Sequence, residues 1–449
     1  MRKRILFAIL VVTLAGSGAA AQEKAPAPPA SGALRLTLKD AIERGLAHNL
    51  RVLAAGTRID EAEGTRERRL SALLPRARVE SVASLQNRSL RAMGISFPGV
   101  PEVVPPFSTY DFRVYAEQSV FDRQSYLNWK ASEKQEQVVR NDYQDIRDLL
   151  VRQIAAVYLN AQASAARVEA AESRVTTAEV LLRLATERRA AGVATGVDVL
   201  RADVQLANEQ QQRLELRNTA AQALLVLARQ IGLSPGTPLE LAEPLRFEEV
   251  ARPEVAPALA GAVSSRADYL SLASQREVLL AQQQANKARY LPRMSVRGDY
   301  GGIGRAIGQV KGTGTLAAGV TLTVFDRDRS GEEQELESRV KRVDHQMKDL
   351  RLGIEEEIRA AFLQLDSAAE EVRVAERGRN LAGRELDLAR ERFAAGVTTN
   401  IEIVSAQQSV ARAQENYIVA VSRHSDAKMA LARALGATEK IYGQYLGIR

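Results

Sequence analysis

Residues 186–207, TERRAAGVATGVDVLRADVQLA, return 204 positions later as residues 390–411, RERFAAGVTTNIEIVSAQQSVA. Gly192 falls on Gly396, Val193 on Val397, Thr195 on Thr399, Asp198 on Glu402 and Ala202 on Ala406. Each copy lies where one long apolar-periodic segment ends and another begins, so each reads as the tight turn of a helical hairpin. Gly192 and Gly396 supply the left-handed residue that closes a helix. Thr195 and Thr399 reopen the chain as N-caps, and Asp198 and Glu402 follow at capping-box spacing. Two such turns at one interval mean a duplicated chain.

The segments around these turns are long. Apolar residues step by three and four through Leu150, Ile154, Val157, Ala161, Val168, Val175, Leu182 and Ala185, which predicts a helix over about 124–191. The second copy predicts one over about 329–395. Return helices follow at about 197–231 and 401–435, ending at Gly232 and Gly436. A helix near 68 residues is about 100 Å long, the length of a coiled coil or a tunnel wall rather than of a globular core.

Ahead of each long helix the period changes to two. Ala77, Val79, Ala83 and Leu85 alternate with Arg76, Arg78, Glu80 and Ser84, after a helix that stops at Leu74-Pro75. Phe112, Val114 and Ala116 alternate with Asp111, Arg113 and Glu117. In the second copy Met294, Val296 and Tyr300 oppose Arg293, Arg297 and Asp299, and Leu316, Ala318 and Val320 oppose Thr315 and Thr321. Residues 86–109, with four prolines, and the glycine-rich 301–312 read as loops. Four strands with one apolar and one arginine-rich face fit part of a membrane barrel with a wet lumen; a soluble two-hairpin sheet is the alternative. Four strands alone leave open edges in hydrocarbon, so a barrel would need several chains.

Composition excludes other classes. The 449 residues contain no cysteine, which removes disulfides, thiolate catalysis and an acyl-cysteine anchor. His48, His345 and His424 lie far apart, and no metal cluster, phosphate loop or Ser/His/Asp set is visible; no enzyme, metal or cofactor is expected. Arg2, Lys3 and Arg4 precede an apolar run and Ala19-Ala20-Ala21, the pattern of a secretory signal cleaved after Ala21. The net charge of +7 owes three units to that segment, and no nucleic-acid partner is inferred. The expected division is a signal peptide at 1–21, a flexible lead-in at 22–35 and a first repeat at 36–245, with strands at about 76–86 and 110–120. A second repeat spans 246–436, with strands at about 293–301 and 314–324, and 437–449 is a tail.

With TLKDAIERGLAHN near the start, LLP before the first strand, SVFDR after the second, AAGVATGVDVL and AAGVTTNIEIV at the tips, and ALARQIG and ALARALG at the helix ends, residues 36–436 resemble a TolC-like outer-membrane factor. Such proteins form the exit duct of bacterial efflux pumps and type I secretion systems. The resemblance implies a mainly α chain with a small β part. It implies a homotrimer whose 12-stranded barrel, in outer-membrane lipid of a Gram-negative cell, continues into a periplasmic helical barrel. It also implies a periplasmic adaptor and an inner-membrane pump as partners. Gly192, Val193, Gly396 and Val397 would be adaptor-docking tips, and Arg76, Arg78, Glu80, Arg113, Arg293 and Arg297 would face the barrel lumen. Glu402, with Ser405 one turn on and Asp198 at the other tip, would line the periplasmic aperture. Thr398 stands where the family has a tip arginine and Phe393 where a tyrosine can stand, so neither an Asp–Arg lock nor a hydroxyl link to Asp198 is implied. A periplasmic adaptor should show one hairpin between β halves, and a trimeric coiled-coil fibre would need no internal duplication. The exported substrate, whether drug, metal ion or protein, is not encoded in these motifs.

Overall fold

In the computed structural model the chain runs β1 (Leu34–Leu36), α1 (Leu38–His48), α2 (Leu50–Leu70), β2 (Arg76–Ser89), β3 (Val103–Phe121), α3 (Arg123–Ala190) and α4 (Gly196–Gln230). It continues through β4 (Leu239–Leu241), α5 (Val255–Ser265), α6 (Ala267–Lys287), β5 (Arg293–Gly304), β6 (Lys311–Thr321), α7 (Arg327–Ala394), α8 (Asn400–Leu435) and α9 (Thr438–Leu446). The described residues are 33–446, apart from 97, 251–253, 396, 399 and 437. The signal segment, most of the lead-in, and Gly396 and Thr399 at the second tip lie outside them.

The two long helices, α3 and α7, have 68 residues each. Both start from the aspartate of a Phe-Asp-Arg sequence: Asp122 accepts from the Ser125 N–H at 2.9 Å, and Asp326 from the Asp328 N–H at 3.1 Å. At 1.5 Å per residue each is about 100 Å long. Alanines such as Ala171, Ala178, Ala185, Ala361 and Ala368 fill their buried stripes, so neighbouring helices approach closely. Ion pairs also tie neighbouring helices: the largely covered Arg174 to Glu209 between α3 and α4 at 2.9 Å, and Arg167 to Glu415 between α3 and α8 at 2.8 Å.

β2, β3, β5 and β6 form one antiparallel sheet in the order β2-β3-β5-β6, so the two repeats contribute adjacent hairpins. The strands run further than the sequence pattern indicates. Pro105 and Pro106 lie inside β3, at the shift in pairing beyond Gln86, where a missing N–H disturbs the ladder least. Gly301, Gly302 and Gly304 belong to β5, and a Cβ on Gly301 would stand 2.2 Å from the Phe112 carbonyl oxygen. There glycine marks close strand approach, not a loop. β6 stops at Thr321, leaving Leu322 and Val324 outside it.

Midway along the long helices the short elements form a girdle. β1 pairs with β4 in parallel, so part of the expected lead-in is a strand. Leu36, Leu38 and Ile42 pack on Val151, Ile154 and Tyr158 of α3 and on Leu227 and Ile231, and the buried Tyr158 hydroxyl donates to the Leu36 carbonyl at 3.0 Å. Ile354, Ile358 and Phe362 of α7 form the matching core with Ala262, Leu431 and Tyr445. Between α5 and α6 the helical run is broken at Arg266, whose backbone is extended and whose buried guanidinium bonds Asp268 at 2.6 Å and also Glu357. The expected tail contains α9, fixed to α3 by Arg147 on Glu439 at 2.5 Å and by the Glu439 N–H on Asp148 at 2.8 Å.

Candidate functional site: two helical tips and a four-stranded wall

At the first tip α3 ends in paired capping bonds: Gly192 N–H to the Arg189 carbonyl at 3.0 Å, and Val193 N–H to the Arg188 carbonyl at 2.9 Å. Gly192 has φ of +73°, and no atom lies within 4 Å of where its Cβ would be. Thr195 then caps α4 in a full capping box: its N–H bonds Asp198 at 2.9 Å, and the Asp198 N–H returns to its hydroxyl at 3.4 Å. The Thr195 hydroxyl, donating to the carboxylate at 2.7 Å, and the Thr195 N–H hold the Asp198 carboxyl below its usual range.

The second tip repeats the helix stop, with the Val397 N–H on the Arg392 carbonyl at 3.0 Å. Its acid makes contacts back across the turn. Glu402 accepts from Arg392 at 2.7 Å and from the Thr398 hydroxyl, four residues back. Glu402 is therefore part of an intrachain ion pair rather than a lone carboxylate. Ser405, one turn along α8, is exposed beside it. Val193 and Val397 protrude, 66% and 69% exposed.

A contact absent from the sequence reading joins the tips. The Arg188 guanidinium stands 4.4 Å from the centre of the Phe393 ring and also donates to the Phe393 carbonyl. Phe393 is buried with Leu181, Leu386, Ile403 and Ala406, so the cation rests on a fixed ring. The departure from tyrosine thus coincides with a different link, built by an arginine of the first hairpin.

The sheet is the other end of the candidate site. Directly paired residues of an antiparallel sheet share a face. One face carries Arg76 opposite Glu117 opposite Arg297, then Arg78 opposite Tyr115 opposite Asp299, then Glu80 opposite Arg113. Arg113 sits in a closed network with Asp299, with Asp111 at 3.3 Å and with the Thr313 hydroxyl at 3.0 Å. Arg78 lies 4.6 Å from the Tyr115 ring centre. The opposite face carries Val79, Leu85, Phe112, Val114, Tyr300, Leu316 and Val320, exposed by 45–82%. Among the described residues none of these joins a buried apolar cluster. No described helix is long and apolar enough to cross a membrane.

A buried polar group remains in the girdle. His424 is 1% exposed, its ring edge-on to Phe247 at 4.7 Å. Burial, with the neighbouring Lys428 ammonium, pushes its pKa down to about 4. Lys428, itself buried, donates to the Glu248 carbonyl at 3.1 Å, and burial lowers its pKa as well. Lys428 lines a cavity of about 500 Å³ with Thr37, Gln162, Glu243 and Arg246.

The model of one protein family, described as outer membrane efflux protein, matches residues 41–233 and 259–437. The chain is 25% identical over 419 residues to the pyoverdine export outer membrane protein OpmQ of Pseudomonas aeruginosa, covering 89% of this chain and 85% of that one. The protein of that name from Pseudomonas putida is 24% identical over 307 residues, which span 66% of this chain and 64% of that one. The fold is that of the Campylobacter jejuni CmeC outer membrane channel, with TM-score 0.78, 14% identity, and 92% of this chain and 90% of that one covered.

Proposed function

Since the chain belongs to the outer membrane efflux protein family, a family of outer-membrane efflux channels, we propose that three copies form one exit duct fed by a periplasmic adaptor and an inner-membrane pump. The observation that carries this reading is the four-stranded sheet with no core on either face. Its apolar face needs lipid and its charged face needs water, which is the demand of a barrel wall. A strand of 11 residues, the length of β6, tilted by about 40°, rises roughly 28 Å, enough for the apolar band of an outer membrane. β2 and β6 leave outer edges unpaired within the chain. Each unpaired backbone group in hydrocarbon costs several kcal/mol, and membrane barrels begin at about eight strands. Three chains supply 12 strands and join each β2 edge to a neighbouring β6 edge.

The helices then extend into the periplasm, and the tips around Gly192–Val193 and Val397 become the far mouth. The protruding valines and bare turns suit an adaptor that docks on backbone and small side chains. Asp198, Glu402 and Ser405 line the aperture in this reading, with Arg392 holding Glu402 in check. The cargo belongs to the transport classes of the family; the OpmQ relatives are named for pyoverdine export. Two hairpins per chain argue against an adaptor, and the internal sheet against a fibre.

Docking is tested by introducing single cysteines into a chain that has none. Val193→Cys and Val397→Cys should each crosslink to the adaptor in cells, whereas a cysteine at exposed Leu214 on α4, away from the turns, should not. Crosslinking from Leu214 with none from either tip would reverse the assigned orientation.

A further inference from the structure

We infer that the sheet's wet face is an anion-favouring passage, so that the duct is matched to cargo bearing carboxylate or other anionic groups. The inference rests on the duct reading and specifies the chemistry of its wall. Arg113 is neutralised by Asp111 and Asp299, and so contributes structure rather than free charge. The other arginines near the helical end differ. Arg76, Arg293 and Arg297 are exposed and form no ion pair with a described residue. Arg78 is 70% exposed and meets Glu80 only at 3.8 Å. Glu117 lies between Arg76 and Arg297 in register, one acid for two cations, without closing onto either. At the outer end Arg88 and Lys311 share the same face, and Arg305 lies 5.6 Å from the Phe107 ring centre on that side. The face thus carries eight cationic side chains against four acids, with the excess at both ends of the strands.

Arginine rings select anions when they line a pore. Three copies would set these charges around one lumen, and at physiological salt each acts over about 8 Å. The opposite mouth does not cancel this field through Glu402, which is paired with Arg392. The wall thus carries free cations, whereas Glu402 at the second tip is compensated.

The test uses purified full-length oligomer in planar bilayers under a potassium chloride gradient. The wild type should show anion permeability above cation permeability. Arg76→Gln/Arg293→Gln/Arg297→Gln should lower that ratio by roughly twofold or more, while the triple lysine replacement preserves it. A cation-preferring wild type overturns the inference, without needing any variant to fold. So does an unchanged ratio in the triple glutamine variant running at the wild-type oligomer size. Oligomer that inserts but conducts nothing contradicts the duct reading itself, and this inference falls with it.

Discussion

Arg392 decides how Glu402 acts. The 2.7 Å pair leaves Glu402 compensated rather than bare, although the resemblance implies an acid lining the aperture there. Removing the cation should expose it: Arg392→Gln should strengthen block by multivalent cations added at the tip side, and more so at low salt. Glu402→Gln in the same recordings should alter block little, because the charge it removes is already balanced. Equal block in wild type and Arg392→Gln would deny Glu402 a place at the aperture. Glu402 was legible from the repeat, since it aligns with Asp198. Its partner was not, because Arg392 reaches it only through the turn's three-dimensional closure. The Arg188–Phe393 contact was hidden for a similar reason: it joins residues 205 apart through lateral packing of two hairpins.

His424 gives a residue-scale prediction about acid. In the unfolded chain its imidazole titrates near 6.5, whereas burial in the girdle pushes the folded value to about 4. Between those values the unfolded chain binds the extra proton, so stability falls as pH drops from about 6.5 toward 4. The full contribution is on the order of 3 kcal/mol per chain. His424→Leu should flatten that portion of the stability profile, measured by calorimetry in detergent from pH 7 to pH 5. An unchanged slope would mean that His424 is solvated in the assembled protein.

At the scale of elements, the capped tips and the girdle divide the work. Gly192 is left-handed with open space around it, so Gly192→Ala should cost about 1 kcal/mol of hairpin stability through backbone strain and almost nothing through packing. Hydrogen exchange should show the loss confined to the ends of α3 and α4; exchange spreading into the girdle would contradict a local role. The long helices and their turns were readable because 204-residue spacing preserves cap, periodic stripe and stop together. The girdle was not. β1 and β4 have three residues each, too few for a period, and exist because they pair with one another. The break at Arg266 comes from a buried guanidinium among carboxylates, which no local propensity announces. The β3 prolines and β5 glycines read as loop residues, yet tertiary pairing holds them in strands.

At the scale of the whole molecule, the proposed duct needs more than one chain. The sheet of one chain has two unpaired edges, an apolar face without a core and a charged face, which the proposed trimer would close into a lipid-facing wall around a lumen. The alternation in the sequence displayed both faces; pairing of the two hairpins into a single sheet required the structure. Closure by three chains is the claim on which the adaptor mouth, the aperture and the cationic wall all depend. The most direct measurement is the protein mass of the complex extracted from outer membranes in mild detergent. Three chains, resistant to separation until the barrel is melted, is the result this account predicts. A folded, membrane-inserted single chain with its sheet intact would contradict it.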